Sequence, residues 1–205
     1  MNRMNTLRRF GLFALMAAVL TVTGCKKDDD APDEENEVEV ITDVKLVFTN
    51  TNNGSDVVEA RAQDPDGEGV QALAILDDIT LSAGQTYTLT YEIFNNLESP
   101  GEDIGLEILE EDDEHQFFFS FSTDAFDNPG GNGNIDNAAD AINYNDVDDA
   151  GNPVGLSTEW TTSSTALTNG NFTVRLQHQP DVKTSTSDAN TGDTDFNLEF
   201  VLNIQ

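Results

Sequence analysis

The chain reads as all-β: an antiparallel β-sandwich of seven or eight strands with one short peripheral helix. Three observations predict it. Apolar and polar residues alternate at period two in run after run. The runs are separated by clusters of Gly, Pro, Asn, Asp and Ser, the residues of turns. Only one stretch has helical spacing, so the strand–helix alternation of a parallel α/β sheet is missing. Residues 40–205 are enough chain for one hydrophobic core, and no internal repeat divides them.

From Val40 the pattern is clear. Val40, Thr42, Val44, Leu46 and Phe48 share one face, and Asn50-Thr51-Asn52-Asn53-Gly54 ends that strand. Val57 to Ala62 is a second strand, closed by Asp64-Pro65-Asp66-Gly67-Glu68-Gly69. Val70 to Leu76 is apolar but too short to tell strand from helix. A brief strand at Ile79 to Leu81 leads into Thr86 to Phe94, where Tyr87, Leu89, Tyr91 and Ile93 alternate with polar residues. Ser99-Pro100-Gly101-Glu102 has the form of a capping box with proline at the first helical position. It predicts a helix whose apolar stripe is Ile104, Ile108 and Leu109; the competing reading is a strand with Ile104, Leu106 and Ile108 inward. Glu107 and the acids from Glu110 to Glu114 would oppose the dipole at that helix's C-terminus. The helix is therefore short, or those acids serve another partner.

His115, Phe117, Phe119 and Phe121 are then in phase on a strand. Residues 122–143, polar and glycine-rich, are too long for an ordinary connection and predict a flexible or functional loop. Tyr144 to Pro153 is turn chemistry. Leu156 to Thr162 and Gly170 to Gln179 are strands, the second with Phe172, Val174, Leu176 and His178 in phase. After a polar loop over 181–194, Phe196, Leu198, Phe200, Leu202 and Ile204 mark the last strand.

The residues before this domain have a different character. Arg3, Arg8 and Arg9 form a basic region, and Phe10 to Val22 is an apolar run shorter than the ~20 residues of a spanning helix. Val22-Thr23-Gly24-Cys25 resembles a bacterial lipobox, in which small residues let a signal peptidase close on the bond before a cysteine whose thiol takes a diacylglyceryl group. The resemblance implies a signal peptide over 1–24 and a membrane anchor through lipid on Cys25. Residues 25–39 then hold the lipidated cysteine and a disordered acidic tether: Lys26 to Glu39 carries too little apolar surface to fold. That tether spans ~20 Å on average and ~50 Å when extended. Its Lys-Lys-Asp-Asp-Asp start resembles the signal that exports some Bacteroidota-type lipoproteins to the outer face of the outer membrane; a plain linker would instead leave the domain facing the periplasm.

Charge and cysteine usage narrow the function. Without residues 1–24, six Lys and Arg stand against 39 Asp and Glu, a net charge of −33. Nucleic acid is excluded as a partner, since phosphate contacts need clustered cations, whereas cations are suitable partners. Cys25 is the only cysteine. Once lipidated it leaves no disulfide, no thiol catalysis, no thiolate metal site and no iron–sulfur cluster.

The mature region, especially Glu114 to Phe119, Arg175 to Asp181 and Asn152 to Leu156, resembles a group of small, functionally unassigned surface lipoproteins of Bacteroidota type. The resemblance implies a lipid anchor and a β-domain, and no activity. No nucleophile elbow, phosphate loop or HExxH is present, so the chain is not expected to be an enzyme.

Two candidate sites remain. The only histidines, His115 and His178, each extend the apolar face of a strand and lie at strand ends. If those strands are antiparallel, the start of one meets the finish of the other. Two imidazoles with a carboxylate from Asp113, Glu114 or Asp181 would suit zinc, copper or another borderline metal; two imidazoles alone would suit an axially ligated haem iron; the bland alternative is a pair of core histidines. Asp64, Asp66 and Glu68 resemble half of a calcium loop, though such a DPDG segment is more often a plain turn; Asp146, Asp148 and Asp149 are a weaker version with Ala150 in a ligand-type position. The expected function is binding of a cationic or metal-containing ligand at the outer membrane, as an accessory to an outer-membrane transporter. The alternative is a calcium-stabilised structural or adhesive module.

Overall fold

A computed structural model describes residues 39–64, 66 and 72–205. The expected signal peptide, Cys25, nearly all of the tether, and Glu68 of the calcium-like segment lie outside the described residues.

In chain order the elements are β1 (Asp43–Asn50), β2 (Val57–Gln63), β3 (Ala74–Ile75), β4 (Ile79–Leu81), β5 (Thr86–Asn95), β6 (Glu102–Asp103), α1 (Ile104–Glu110), β7 (His115–Phe121), β8 (Phe126–Asn128), β9 (Thr158–Thr162), β10 (Leu167–His178) and β11 (Asp193–Ile204). One sheet runs β3-β2-β1-β5-β9-β8 with β6 on the far part of β5, and the other runs β4-β11-β10-β7. The expected sandwich is there. Its strand count is eleven among the described residues, because β3, β6 and β8 are two- or three-residue pieces with too little alternation to show in sequence. The sheets are antiparallel except at one edge, where β4 pairs with β11 in parallel.

The period-two rows form the core. Val44, Leu46 and Phe48 of β1, Tyr87, Leu89 and Ile93 of β5 and Trp160 of β9 line the first sheet's inner face. Phe117 and Phe119 of β7, Phe172, Val174 and Leu176 of β10, and Leu198 and Phe200 of β11 complete the cluster from the second. Trp160 is the hub, edge-on to Phe172 at 5.0 Å and to Phe121 at 5.5 Å between ring centroids. Each such pair adds ~0.5–1.5 kcal/mol beyond the area it buries.

Three expectations are corrected. The helix is capped by Asp103, whose carboxylate accepts from the Leu106 N–H, and not by Ser99; Glu102–Asp103 instead pairs with β5 as β6. Its buried stripe is Ile104 and Ile108, while Leu109 is 54% exposed, since seven residues turn only one narrow face inward. The helix is indeed short, which shortens the stretch over which the acids oppose a dipole. Residues 122–143 are not a loose loop either. They contain β8 and cover the outer edge of β7: Phe121 N–H donates to the Asn132 carbonyl, and the Asn134 amide and side chain bond both ways with Phe119. An exposed edge strand needs such a cover.

The outer face of the second sheet is also covered over β7 and β10, while β11 leaves Asn197, Glu199 and Val201 exposed. The segment after β10 folds back so that Arg175 Nη1 donates to the Ala189 carbonyl and Gln177 Nε2 to that of Thr191. Every residue of β7 except Ser120 is buried, on both faces.

Candidate metal centre

β7 and β10 are antiparallel neighbours, and their register sets Leu176 opposite Phe117, Gln177 opposite Gln116, and His178 opposite His115. The histidines thus meet at one end of the sheet, as their phase and strand positions predict. Their rings stack with centroids 4.5 Å apart and planes 1° from parallel. His115 is fully buried and His178 is 5% exposed.

Each ring is oriented by the turn between α1 and β7. His115 Nδ1 lies 3.1 Å from the Glu111 carbonyl oxygen. A carbonyl only accepts, so Nδ1 carries the proton and donates, which leaves a lone pair on Nε2. That Nε2 is buried and has no hydrogen-bond partner. Burial, with the nearby His178 and Lys183, pulls the His115 pKa down to about 4 against the opposing effect of the Glu111 carbonyl. The ring is therefore neutral, the form a metal requires, through the physiological range. His178 Nε2 lies 3.4 Å from Glu114 Oε2.

Glu111, His115 and His178 each offer one ligand atom, and the three atoms lie within 4.8 Å of one another. Two ligands of one zinc ion, at ~2.1 Å each, can be no more than ~4.2 Å apart. With one of the stacked rings turned, a small contraction would make an N2O site. Of the residues named from sequence, the two histidines come together and Glu114 bonds to His178. Asp181 is not in the group; it sits beyond β10 in a left-handed turn with φ 58°. Nor is Asp113, and the carboxylate that joins the histidines is that of Glu111, the helix C-cap. The haem expectation fails on geometry. Axial imidazoles point their nitrogens at each other across the iron, whereas these rings lie face to face.

The surroundings are acidic. Glu39, at the entry to the domain, is pushed up to about 7 by burial and by Glu107, Glu111 and Glu102. Asp195 is also pushed up to about 7, by burial and then by Glu39 and Asp193. The register of β10 and β11 shifts between Leu176 and Gln177, and Asp195 is the residue left unpaired there. Both its carboxylate oxygens are buried without a hydrogen-bond partner. A bulge re-aims a side chain in this way, and no alternation pattern reveals it in advance.

One cation is already built in. Lys183 Nζ lies 3.2 Å from Asp148 Oδ2, with both side chains 1% exposed, and donates to the Asp112 carbonyl at 2.5 Å. Asp148 also accepts from the Ala150 and Asn152 amides. Asp146 accepts from the Gly155 and Ser157 amides. Two carboxylates of the weaker calcium-like segment are thus committed to Lys183 and to their own loop. Of the stronger one, Asp64 is buried and its Oδ1 accepts from the Asp66 N–H at 3.3 Å, while Asp66 is exposed.

Comparison with known proteins finds no matching family model, no matching curated protein and no matching solved structure.

Proposed function

We propose that this protein is a surface-exposed, outer-membrane lipoprotein whose β-sandwich binds a borderline divalent metal ion at Glu111, His115 and His178 and serves an outer-membrane transporter. The lipobox-like segment around Cys25 supports the anchor, and the net charge of −33 that remains without residues 1–24 supports a cationic ligand. The observation that carries the metal reading is His115: a fully buried imidazole whose Nε2 lone pair lacks any donor, beside a second imidazole and a carboxylate. Nitrogen ligands with one carboxylate favour zinc or copper over calcium, which takes six to eight oxygens.

Zinc titration by calorimetry at pH 7.5 tests it. The purified protein should bind one equivalent, and His178→Ala should abolish binding without loss of the β-sheet circular dichroism signal. Undiminished binding by that variant would mean that the histidines are core residues.

A further inference from the structure

We propose that Lys183 is a latch that sets how fast the metal enters this site; the inference rests on the metal-binding reading above. A metal lies close to the plane of each imidazole that ligates it. The two rings are parallel and stacked, so their planes share no position for an ion. Loading therefore requires one ring to turn, and the ligand atoms to draw together from the 4.8 Å they span. Turning His178 breaks its bond to Glu114, and turning His115 breaks its bond to the Glu111 carbonyl. Either way a bond that holds a ring to the turn over residues 111–114 is lost, and that turn carries the Glu111 carboxylate that must close on the ion.

That turn is tied down from the opposite side. The Gln179 N–H donates to the Glu114 carbonyl at 2.6 Å, and Lys183 Nζ reaches the Asp112 carbonyl. Lys183 is itself fixed by Asp148 and by its own N–H to the Gln179 carbonyl. One buried ammonium thus joins three segments: the α1–β7 turn, the loop around Asp148, and the chain just after His178. Its positive charge also faces His115 and opposes an incoming cation, so entry is favoured when the ammonium withdraws. The latch belongs to the closed, unloaded arrangement; Lys183 is a positioning residue and not a ligand.

Cobalt(II) is the probe, because its visible absorption reports nitrogen ligation during stopped-flow mixing. In the wild-type protein the observed loading rate should level off at high cobalt, at the rate of latch opening. A rate rising linearly throughout the accessible range would overturn the latch. Lys183→Met, similar in length and uncharged, should raise the association rate at least tenfold and tighten Kd by a similar factor, while the dissociation rate stays within threefold. An unchanged association rate would overturn it, as would a Kd change carried by dissociation alone, which marks a residue that only shapes the site. If Lys183→Met does not fold, Lys183→Met with Asp148→Asn removes the stranded carboxylate and is read in the same way. The two failures are distinguishable. Wild-type protein that binds neither cobalt nor zinc refutes the metal reading and the latch together, whereas His178-dependent binding without saturation refutes the latch alone.

Discussion

Two buried groups at the same end of the sandwich should drive stability in opposite directions with pH, and replacing each in turn should separate them. Asp195 has its pKa raised from 3.8 to about 7, mainly by burial and then by Glu39 and Asp193. Between these values the folded protein holds a proton that the unfolded chain has lost, so stability falls as pH rises from ~4 to ~7 and the full penalty stands above 7. His115 has its pKa lowered from 6.5 to about 4, mainly by burial. There the unfolded chain holds the extra proton, so stability falls as pH drops from ~6.5 to ~4 and nothing is lost above 6.5. At ~1.36 kcal/mol per pKa unit, the Asp195 penalty grows by ~3 kcal/mol between pH 4.5 and 8, and the His115 penalty shrinks by ~2–3 kcal/mol over the same interval. In the wild-type protein the two nearly cancel. Asp195→Asn should gain ~3 kcal/mol relative to wild type at pH 8 compared with pH 4.5, and His115→Gln should gain ~2–3 kcal/mol at pH 4.5 compared with pH 8. Using each variant's change between two pH values removes the pH-independent cost of its new side chain. Urea unfolding with chelator present measures it, and at m ≈ 1–3 kcal/mol/M these are midpoint shifts of ~1–3 M. If Asp195→Asn follows the wild-type pH profile, the carboxylate is not held in the environment described, and the reasoning fails.

What the sequence revealed depended on the range of the interactions involved. Alternation is a local signal, and it placed β1, β5, β7 and β11 because each buries a continuous row against the opposite sheet. The same phase, with the antiparallel pairing of β7 and β10, brought His115 and His178 together. The helix start was misplaced because Ser99-Pro100-Gly101-Glu102 is locally a good cap, yet Glu102–Asp103 gains sheet pairing with β5 that no local pattern records. Glu111 was one acid among many. It became distinguishable only when the short helix ended at it and delivered its side chain to the histidines. Lys183 and Asp195 depend on contacts made across the fold and on a bulge, so neither was visible in the residue pattern. The flexible option for residues 122–143 fails for the same reason: besides bonds within the segment, its order comes from pairing with β7 and β9, which no local pattern records.

Two further predictions concern the anchor and the backbone behind the site. Cys25→Ser should block lipidation and move the protein to the aqueous phase in detergent extraction; if that variant stays in the detergent phase, the lipoprotein reading is wrong. The last concerns Gly192, which immediately precedes β11 and has φ +75°, a left-handed conformation that costs a residue with a side chain about 1 kcal/mol or more. A Cβ there would also collide with the carbonyl oxygen of His178 and press on the Gln179 Cα. The backbone of β11 approaches that of β10 at the histidine itself, where Asp193 pairs with His178. Gly192→Ala must therefore either push the end of β10 away or twist the entry of β11. Strain and displacement together should cost ~2–4 kcal/mol in urea unfolding. Because the displaced peptide is the one that carries the His178 ring, zinc affinity should fall as well, by about tenfold or more. Gly54→Ala, where a Cβ meets nothing within 4 Å, is the control and should leave both quantities unchanged within error. Equal effects from the two alanines would show that the contact between Gly192 and His178 does not position the ring.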